Sequence, residues 1–190
     1  MQESAAPEYA SALLGWRGWV AVEENGSIRL YSPVYHTVWL PRRETVAFCR
    51  KEPAPSMWAP LCPPQHGAPS ADCRCGIYAS PWLTLAAQYA DGRRSPLGAV
   101  APVLGQVCLW GRVVECERGW RGAYAYPSRL YLPLGLGRTR FRPAGIVTAE
   151  QVAAALAAYG VRVDLIACRT VGELAETLHE AEAPAGQGRR

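Results

Sequence analysis

Long apolar segments are absent from this sequence of 190 residues, and so is a readable export signal. No apolar run approaches the roughly 18 residues that a membrane-spanning helix needs. The first eight residues contain no basic group and no continuous apolar stretch, which are the two marks of a secretory signal peptide. We therefore expect a cytoplasmic protein without a membrane partner, in which the seven cysteines are reduced thiols or metal ligands rather than disulfides.

The sequence also lacks the short motifs of several common enzyme classes. It contains no His-Glu-x-x-His of metalloproteases, no Gly-x-Ser-x-Gly of hydrolases, and no His-x-Glu followed by Cys-x-x-Cys of zinc deaminases. Gly135-Leu136-Gly137 is too short to match a dinucleotide-binding loop. These absences favour a protein that is not an enzyme.

Charged residues are sparse, at 19%, whereas hydrophobic residues make up 49% of the chain. This balance is typical of a globular protein and excludes a disordered one. The 18 glycines and 16 prolines favour many short strands and turns over long helices. The composition therefore predicts an α+β fold that is rich in strands, with a small antiparallel sheet or a partly open barrel.

The pattern along the chain divides it into four parts. Residues 13–145 are predicted to form a β-rich domain, in which residues 48–79 form a Pro-rich loop with too little periodicity to make its own core. Residues 146–182 have the pattern of a helix, a strand and a second helix packed on the same domain. Residues 1–12 and 183–190 are predicted to be flexible tails.

Several local signals support the β-rich assignment. Asn25-Gly26 is typical of the tight turn of a hairpin. Residues 105–117 combine β-branched and aromatic side chains, as strands do, with a bulge expected at Gly111. Residues 118–122 are predicted to turn the chain into a further strand at 123–126, which would give an antiparallel meander.

Two capping boxes mark the starts of the predicted C-terminal helices. Thr148 with Gln151, and Thr170 with Glu173, have the spacing at which a side chain caps the first free amides of a helix. Helical spacing then places two apolar sets on the buried faces, the first ending before Gly160. The sets are Val152, Leu156 and Tyr159 in the first helix, and Leu174 and Leu178 in the second.

Four cysteines and one histidine are concentrated within 27 residues of the Pro-rich loop: Cys49, Cys62, His66, Cys73 and Cys75. Zn²⁺ takes four such ligands in a tetrahedron, and four protein ligands leave no open position, which is typical of a structural site. Cys49, His66, Cys73 and Cys75 make one complete set, with Cys62 as the substitute ligand. An iron–sulfur cluster is the alternative cofactor. The alternative without a metal is a group of buried thiols beside a surface histidine.

Residues 15–135 also carry a series of short motifs rich in tryptophan, glycine and cysteine. They read Gly15-Trp16-Arg17, Trp39-Leu40-Pro41, His66-Gly67-Ala68-Pro69, Cys73-Arg74-Cys75-Gly76-Ile77-Tyr78-Ala79, Leu109-Trp110-Gly111-Arg112-Val113, Gly119-Trp120-Arg121 and Ala125-Tyr126-Pro127. With these motifs and Cys49, the chain resembles a family of small bacterial proteins without an established activity. The resemblance implies that Cys49, His66, Cys73 and Cys75 are the metal ligands, in preference to Cys62.

Basic charge is concentrated in residues 96–145, which contain seven arginines and two acidic residues, a net charge of +5. Cations interleaved with aromatic rings can follow a phosphate backbone while the bases stack on the rings. This pattern predicts a nucleic-acid-binding surface, with a solvated basic face as the alternative. The predicted contacts are Arg112, Arg121, Arg138, Arg140 and Arg142.

Two other functions are compatible with the same residues. In the first, exposed tryptophans and tyrosines serve as anchors for a protein partner, and the chain is an interaction adaptor. In the second, the chain is a small enzyme with a pocket lined by Glu115, Glu117, Arg121 and Tyr124.

Overall fold

A computed structural model describes residues 12–49, 66–91, 96, 98–135 and 147–182 of the chain. The strands are β1 (Leu13–Glu24), β2 (Ser27–Tyr31), β3 (Val38–Trp39), β4 (Thr45–Val46), β5 (Ile77–Ala79), β6 (Ala99–Cys116), β7 (Gly119–Pro133) and β8 (Arg162–Ile166). The helices are α1 (Leu83–Ala90), α2 (Ala149–Leu156), which continues as a 3-10 turn over Ala157–Tyr159, and α3 (Val171–Glu182). The predicted tails, apart from residue 12, lie outside the described residues.

The eight strands form one sheet with the central order β3-β2-β1-β6-β7-β4. One edge of β7 is shared by three strands, since β5 pairs with residues 120–122, β4 with 124–125 and β8 with 129–133. Strand β8 runs parallel to β7, so the sheet is mixed. A backbone bridge between Trp16 and Ser80 joins the end of β5 to β1, and the sheet therefore curls back on itself. The predicted α+β fold with a partly open sheet is confirmed.

The predicted hairpin and bulge are both present. Asn25 and Gly26 have positive φ angles of 51° and 74°, as a two-residue hairpin turn requires, and they connect β1 to β2. The register of β6 against β7 shifts between Trp110 and Val113, around the expected bulge. The turn after β6 is shorter than predicted, because β7 already begins at Gly119 and most of residues 118–122 pair as strand.

Two apolar clusters cover the two faces of the sheet, because successive side chains of a strand point to opposite faces. The first cluster includes Trp19, Trp39 and Leu156 of α2. The second includes Trp16 and Leu174, and helices α1 and α3 supply most of its other members. Strand β1 contributes to both clusters, which explains its nearly continuous run of buried residues.

The predicted C-terminal helices and their first cap are confirmed. The Thr148 hydroxyl accepts a hydrogen bond from the Gln151 amide at 3.3 Å, and the Gln151 side chain accepts one from the Thr148 amide at 2.8 Å. In the second box, the Glu173 amide donates to the Thr170 hydroxyl at 3.1 Å, but the Glu173 carboxylate accepts from the Arg169 amide instead of the Thr170 amide. The predicted inward residues are buried: Val152, Leu156, Tyr159, Leu174 and Leu178.

Helix α1 has no counterpart in the sequence prediction. No side chain caps its N-terminus, and it is only eight residues long. Its Leu83, Ala86 and Ala90 are buried, and Gly18 of β1 lies close enough to Ala86 and Ala90 that a larger residue there would collide with the helix. Tertiary packing therefore stabilises this helix. None of the helices in the described ranges has the length and apolar character of a membrane span.

Candidate metal centre

Strand β7 brings the two segments that carry the predicted ligands together. One segment follows β4 and the other precedes β5, and β4 and β5 pair with neighbouring parts of β7. The amide of Ala47 also donates to the carbonyl of Ala123 at 2.7 Å, which holds the chain beside β7 close to the first ligand. The sheet thus brings the ligands Cys49, His66, Cys73 and Cys75 close together in space, although Cys49 is far from the other three in sequence.

The four ligand atoms form one compact group. The three Sγ atoms and one imidazole nitrogen lie within 4.8 Å of one another. Cys49 Sγ is 3.6 Å from Cys73 Sγ, and Cys75 Sγ is 3.4 Å from His66 Nε2. In a tetrahedral site with Zn–S distances of about 2.3 Å and a Zn–N distance of about 2.0 Å, two sulfurs lie roughly 3.8 Å apart, and a sulfur and a nitrogen lie roughly 3.5 Å apart. The group therefore has the size and chemistry of a four-coordinate metal site and could hold a metal ion.

The backbone around Cys73 and Cys75 depends on Gly76. This residue has a φ angle of +123°, which side-chain-bearing residues rarely adopt. A Cβ atom added at Gly76 would lie 2.9 Å from Arg121 Cβ and 3.0 Å from Pro69 Cβ. A glycine directly after Cys75 is thus required both by the positive φ angle of the turn and by the close approach of β7.

Backbone amides stabilise the thiolate forms of two of the cysteines. A hydrogen bond from the Cys75 amide is the largest cause that lowers the pKa of Cys73 to about 6, against the opposing effect of burial. Burial raises the pKa of Cys75, although the Ser70 amide donates to its sulfur and acts in the opposite direction. Amide hydrogen bonds to sulfur favour the charged thiolate, which is the form that binds a metal.

The Tyr78 hydroxyl makes a hydrogen bond to the peptide group that joins Arg74 and Cys75. Its hydroxyl donates to the carbonyl of Arg74 at 2.7 Å, and the amide of that same peptide unit belongs to Cys75 and donates to Cys73. Polarising the carbonyl strengthens the amide as a donor. Tyr78 therefore acts on the Cys73 sulfur through one peptide bond.

Arg121 of β7 lies inside the metal loop, residues 66–76, instead of on a nucleic-acid-binding surface as predicted. Only 6% of this residue is exposed. Its Nη1 donates to the carbonyls of Ser70 at 3.3 Å and Cys75 at 2.9 Å, and to the carbonyl of Cys73. The physical reason is the pairing of β5 with β7, which turns the loop carbonyls toward the guanidinium. No signal in the neighbouring sequence identifies these partners, because they lie 46 to 51 residues earlier in the chain.

Of the other predicted nucleic-acid contacts, the structure describes Arg112. Arg112 is exposed at the bulge of β6. Arg138, Arg140 and Arg142 lie outside the described residues, as does Cys62, the substitute metal ligand.

The residues of the hypothetical enzyme pocket have separate surroundings. Glu115 and Glu117 are exposed at the end of β6. The Tyr124 ring lies against Gly111 and stacks on Trp110, with 6.1 Å between the ring centroids and 18° between the ring planes. Arg121, the fourth member, is engaged with the loop carbonyls.

The other cysteines and histidines of the described ranges lie outside the group of four ligand atoms. Cys168 is buried in the second apolar cluster, whereas Cys108 and Cys116 are half-buried on β6, where the Cys116 thiol donates to the Gly119 carbonyl at 3.2 Å. His36 lies in the loop between β2 and β3, and His179 is exposed on α3, as expected for a loop residue and a helix-surface residue.

Comparison with protein-family models, with curated proteins and with solved structures finds no match for this chain.

Proposed function

We propose that this chain is a non-enzymatic binding module in which Cys49, His66, Cys73 and Cys75 hold a structural Zn²⁺. The observation that carries the proposal is the mutual distance of at most 4.8 Å among the four ligand atoms. Three sulfurs and one imidazole are a common ligand set of closed zinc sites. Because all four positions come from the protein, the ion would organise the loop and would not activate a water molecule.

The compact ligand group supports a single ion over an iron–sulfur cluster. In a cluster, the ligands are bound to different iron atoms, which spreads them farther apart than ligands of one ion. Here even the most distant pair of ligand atoms lies within 4.8 Å. Amide donors to sulfur are compatible with either cofactor. The short distances among the ligand atoms are therefore what favours a single ion.

The surface beside the metal loop supports a nucleic-acid ligand. We define the loop-edge surface as Arg74, Tyr78 and Tyr35, since Arg74 and Tyr35 both lie near enough to Tyr78 to act electrostatically on its hydroxyl. Arg74 is exposed between two ligands, and 41% of Tyr78 and 57% of Tyr35 are exposed. The guanidinium of Arg121 lies 6.0 Å from the centre of the Tyr78 ring. The exposed Tyr78 ring offers stacking to a base and the exposed Arg74 near it offers charge to a phosphate, as single-stranded nucleic acid requires.

A second surface favours the adaptor function. Val46 of β4 pairs with Tyr124 of β7, which in turn pairs with Trp110 of β6. Val46 is 53% exposed and Tyr124 is 39% exposed. An apolar strip with a stacked aromatic pair is suited to a protein partner.

Elemental analysis of the purified protein tests the metal. We expect one equivalent of zinc in the native protein and a loss of that zinc in Cys73→Ser and Cys75→Ser. Cys108→Ser is the matched control, since its half-buried thiol lies on β6, outside the ligand group, and this variant should keep its zinc. Iron accompanied by acid-labile sulfide would support the cluster, and a metal-free native protein would overturn the proposal.

Fluorescence anisotropy with a labelled single-stranded oligonucleotide tests the ligand. If the loop-edge surface binds it, Arg74→Glu should weaken binding at least tenfold, and affinity should fall steeply with added salt. Tyr124→Ala, on the apolar strip, is the control and should change little. Absence of binding would contradict the nucleic-acid ligand and leave the adaptor as the better proposal, whereas equal effects of both variants would contradict the loop-edge surface as the binding site.

A further inference from the structure

Arg121 is a buried cation whose described partners are all neutral. Its Nη1 donates to three backbone carbonyls of the metal loop, those of Ser70, Cys73 and Cys75. The ion pairs found among the described residues join Asp164 to Arg129 and Arg162, and none includes Arg121. Burying a charge is costly unless an opposite charge compensates it. A compensating negative charge near the loop is therefore expected.

The metal centre supplies a charge of the required sign and size. A divalent ion bound by three thiolates and one neutral imidazole has a net charge of −1. The exposed loop charges, Asp72 and Arg74, are opposite in sign and screened by solvent, so they do not take its place.

We infer that Arg121 is the counter-charge and positioning residue of the metal centre, and that it tunes this site for three thiolate ligands. The inference rests on the proposed zinc site. The guanidinium holds the loop carbonyls through its hydrogen bonds, and its charge neutralises the net −1 of the loaded centre. Substitution of a partner outside the ligand set typically costs 10- to 100-fold in metal affinity.

The two contributions of Arg121 are separable by changing the charge of the centre. Replacing Cys49 with His gives two thiolates and two imidazoles, and the loaded centre then has no net charge. Cys49 suits this change because it is half-buried and lies before the constrained turn at Gly76. A hydrogen-bonding role of Arg121 would be the same in both centres, whereas a charge-compensating role would be lost in the neutral one.

The experiment is a double-mutant cycle of Arg121→Gln with Cys49→His, with zinc affinity measured by competition against a chromophoric chelator. In the native ligand set, Arg121→Gln should lower zinc affinity about 10- to 100-fold. In the Cys49→His background, the same change should cause a loss about tenfold smaller, because the hydrogen-bonding part of the role remains but no net charge is left to be compensated. Arg121→Lys keeps the charge and should recover most of the loss. Cobalt(II) absorption reports how many thiolates bind the ion in each variant.

Each outcome of the cycle has a defined meaning. Equal losses in both backgrounds would overturn the charge role and leave zinc binding itself intact. Absence of zinc from the native protein would overturn the zinc proposal and this inference together. If Arg121→Gln does not fold, the folding of the double variant decides, since rescue by Cys49→His supports the charge role and failure of rescue contradicts it.

Discussion

The metal loop and the C-terminal segment, residues 147–182, both lie against the same edge of β7, but their stability has different origins. Residues 66–76 contain no helix or strand, and none of them belongs to either apolar cluster of the described structure. The C-terminal segment has two helices, one strand and several fully buried apolar side chains, such as Val152, Leu156 and Leu174. One region is organised by polar contacts around four ligand atoms, and the other by burial.

This difference predicts that the two regions respond to different perturbations. Removing apolar groups from water stabilises the C-terminal segment under any condition in which the sheet is folded. Arg121 and Tyr78 hold carbonyls of the ligand residues and their neighbour, and under the proposed function the loop should also depend on an ion bound by the four ligand atoms. A structural zinc contributes on the order of 10 kcal/mol or more of apparent binding energy to such a segment.

The largest expected effect is loss of loop structure when the metal is removed. After treatment with a strong chelator, we expect backbone amides of residues 66–79 to lose hydrogen-exchange protection, because the ion no longer joins the two loop segments. Amides of α2 and α3 should keep most of their protection. Mass spectrometry of exchanged peptides measures both regions in the same sample.

A metal-free Cys73→Ser variant serves as the control, since the chelator should change it no further. The comparison between the two regions would fail if the loop stayed protected after metal removal, or if α3 lost its protection together with the loop.

An intermediate effect is expected from Leu174→Ala in α3. Leu174 is fully buried in the second cluster, and shortening such a residue to alanine typically costs 2–5 kcal/mol, with a value of about 3 kcal/mol expected here. Urea unfolding measures the change. Leu134→Ala is the matched control, because Leu134 is 43% exposed and its loss should cost much less.

Leu174→Ala also tests whether the metal loop and the C-terminal segment are independent. Its zinc content should stay at one equivalent while its free energy of unfolding falls. A loss of zinc from folded Leu174→Ala would show that the two regions are coupled through β7.

The sequence features that could be predicted are those whose cause is local. The hairpin turn at Asn25-Gly26 follows from the conformations of these two residues, and the cap at Thr148 follows from side chains three residues apart. The ligand group was predicted from residue chemistry, because few arrangements other than a shared ion make use of three cysteines and a histidine in a loop without a core.

Features that depend on distant partners were not predicted. Arg121 follows a glycine and a tryptophan in what reads as a turn, and only its pairing with β5 turns its side chain into the loop. Helix α1 lacks a cap and depends on packing against Gly18 of β1. In both cases the decisive contact lies tens of residues away, where local propensity carries no information about it.

The smallest expected effect concerns Asp164 of β8, whose carboxylate accepts hydrogen bonds from Arg129 and Arg162, each at 2.8 Å. Burial raises the pKa of this carboxyl, but the two arginines lower it more, so the net pKa lies below its usual range. A depressed pKa means that the carboxylate stabilises the fold above the ordinary carboxyl pKa of about 3.9, and that this contribution is lost as the pH falls through the lower native value. Because Arg129 and Arg162 are substantially exposed, Asp164→Asn should cost at most about 1 kcal/mol at pH 7.

The measurement is urea unfolding of the native protein and of Asp164→Asn at pH 7, 5 and 3. Acid also protonates the metal ligands, but this affects both proteins equally and cancels in their difference. We expect that difference to be constant from pH 7 to 5 and to shrink toward pH 3. The exposed Glu176→Gln on α3 is the control and should show no such difference. A difference that grows as the pH falls would contradict the assigned role of Asp164.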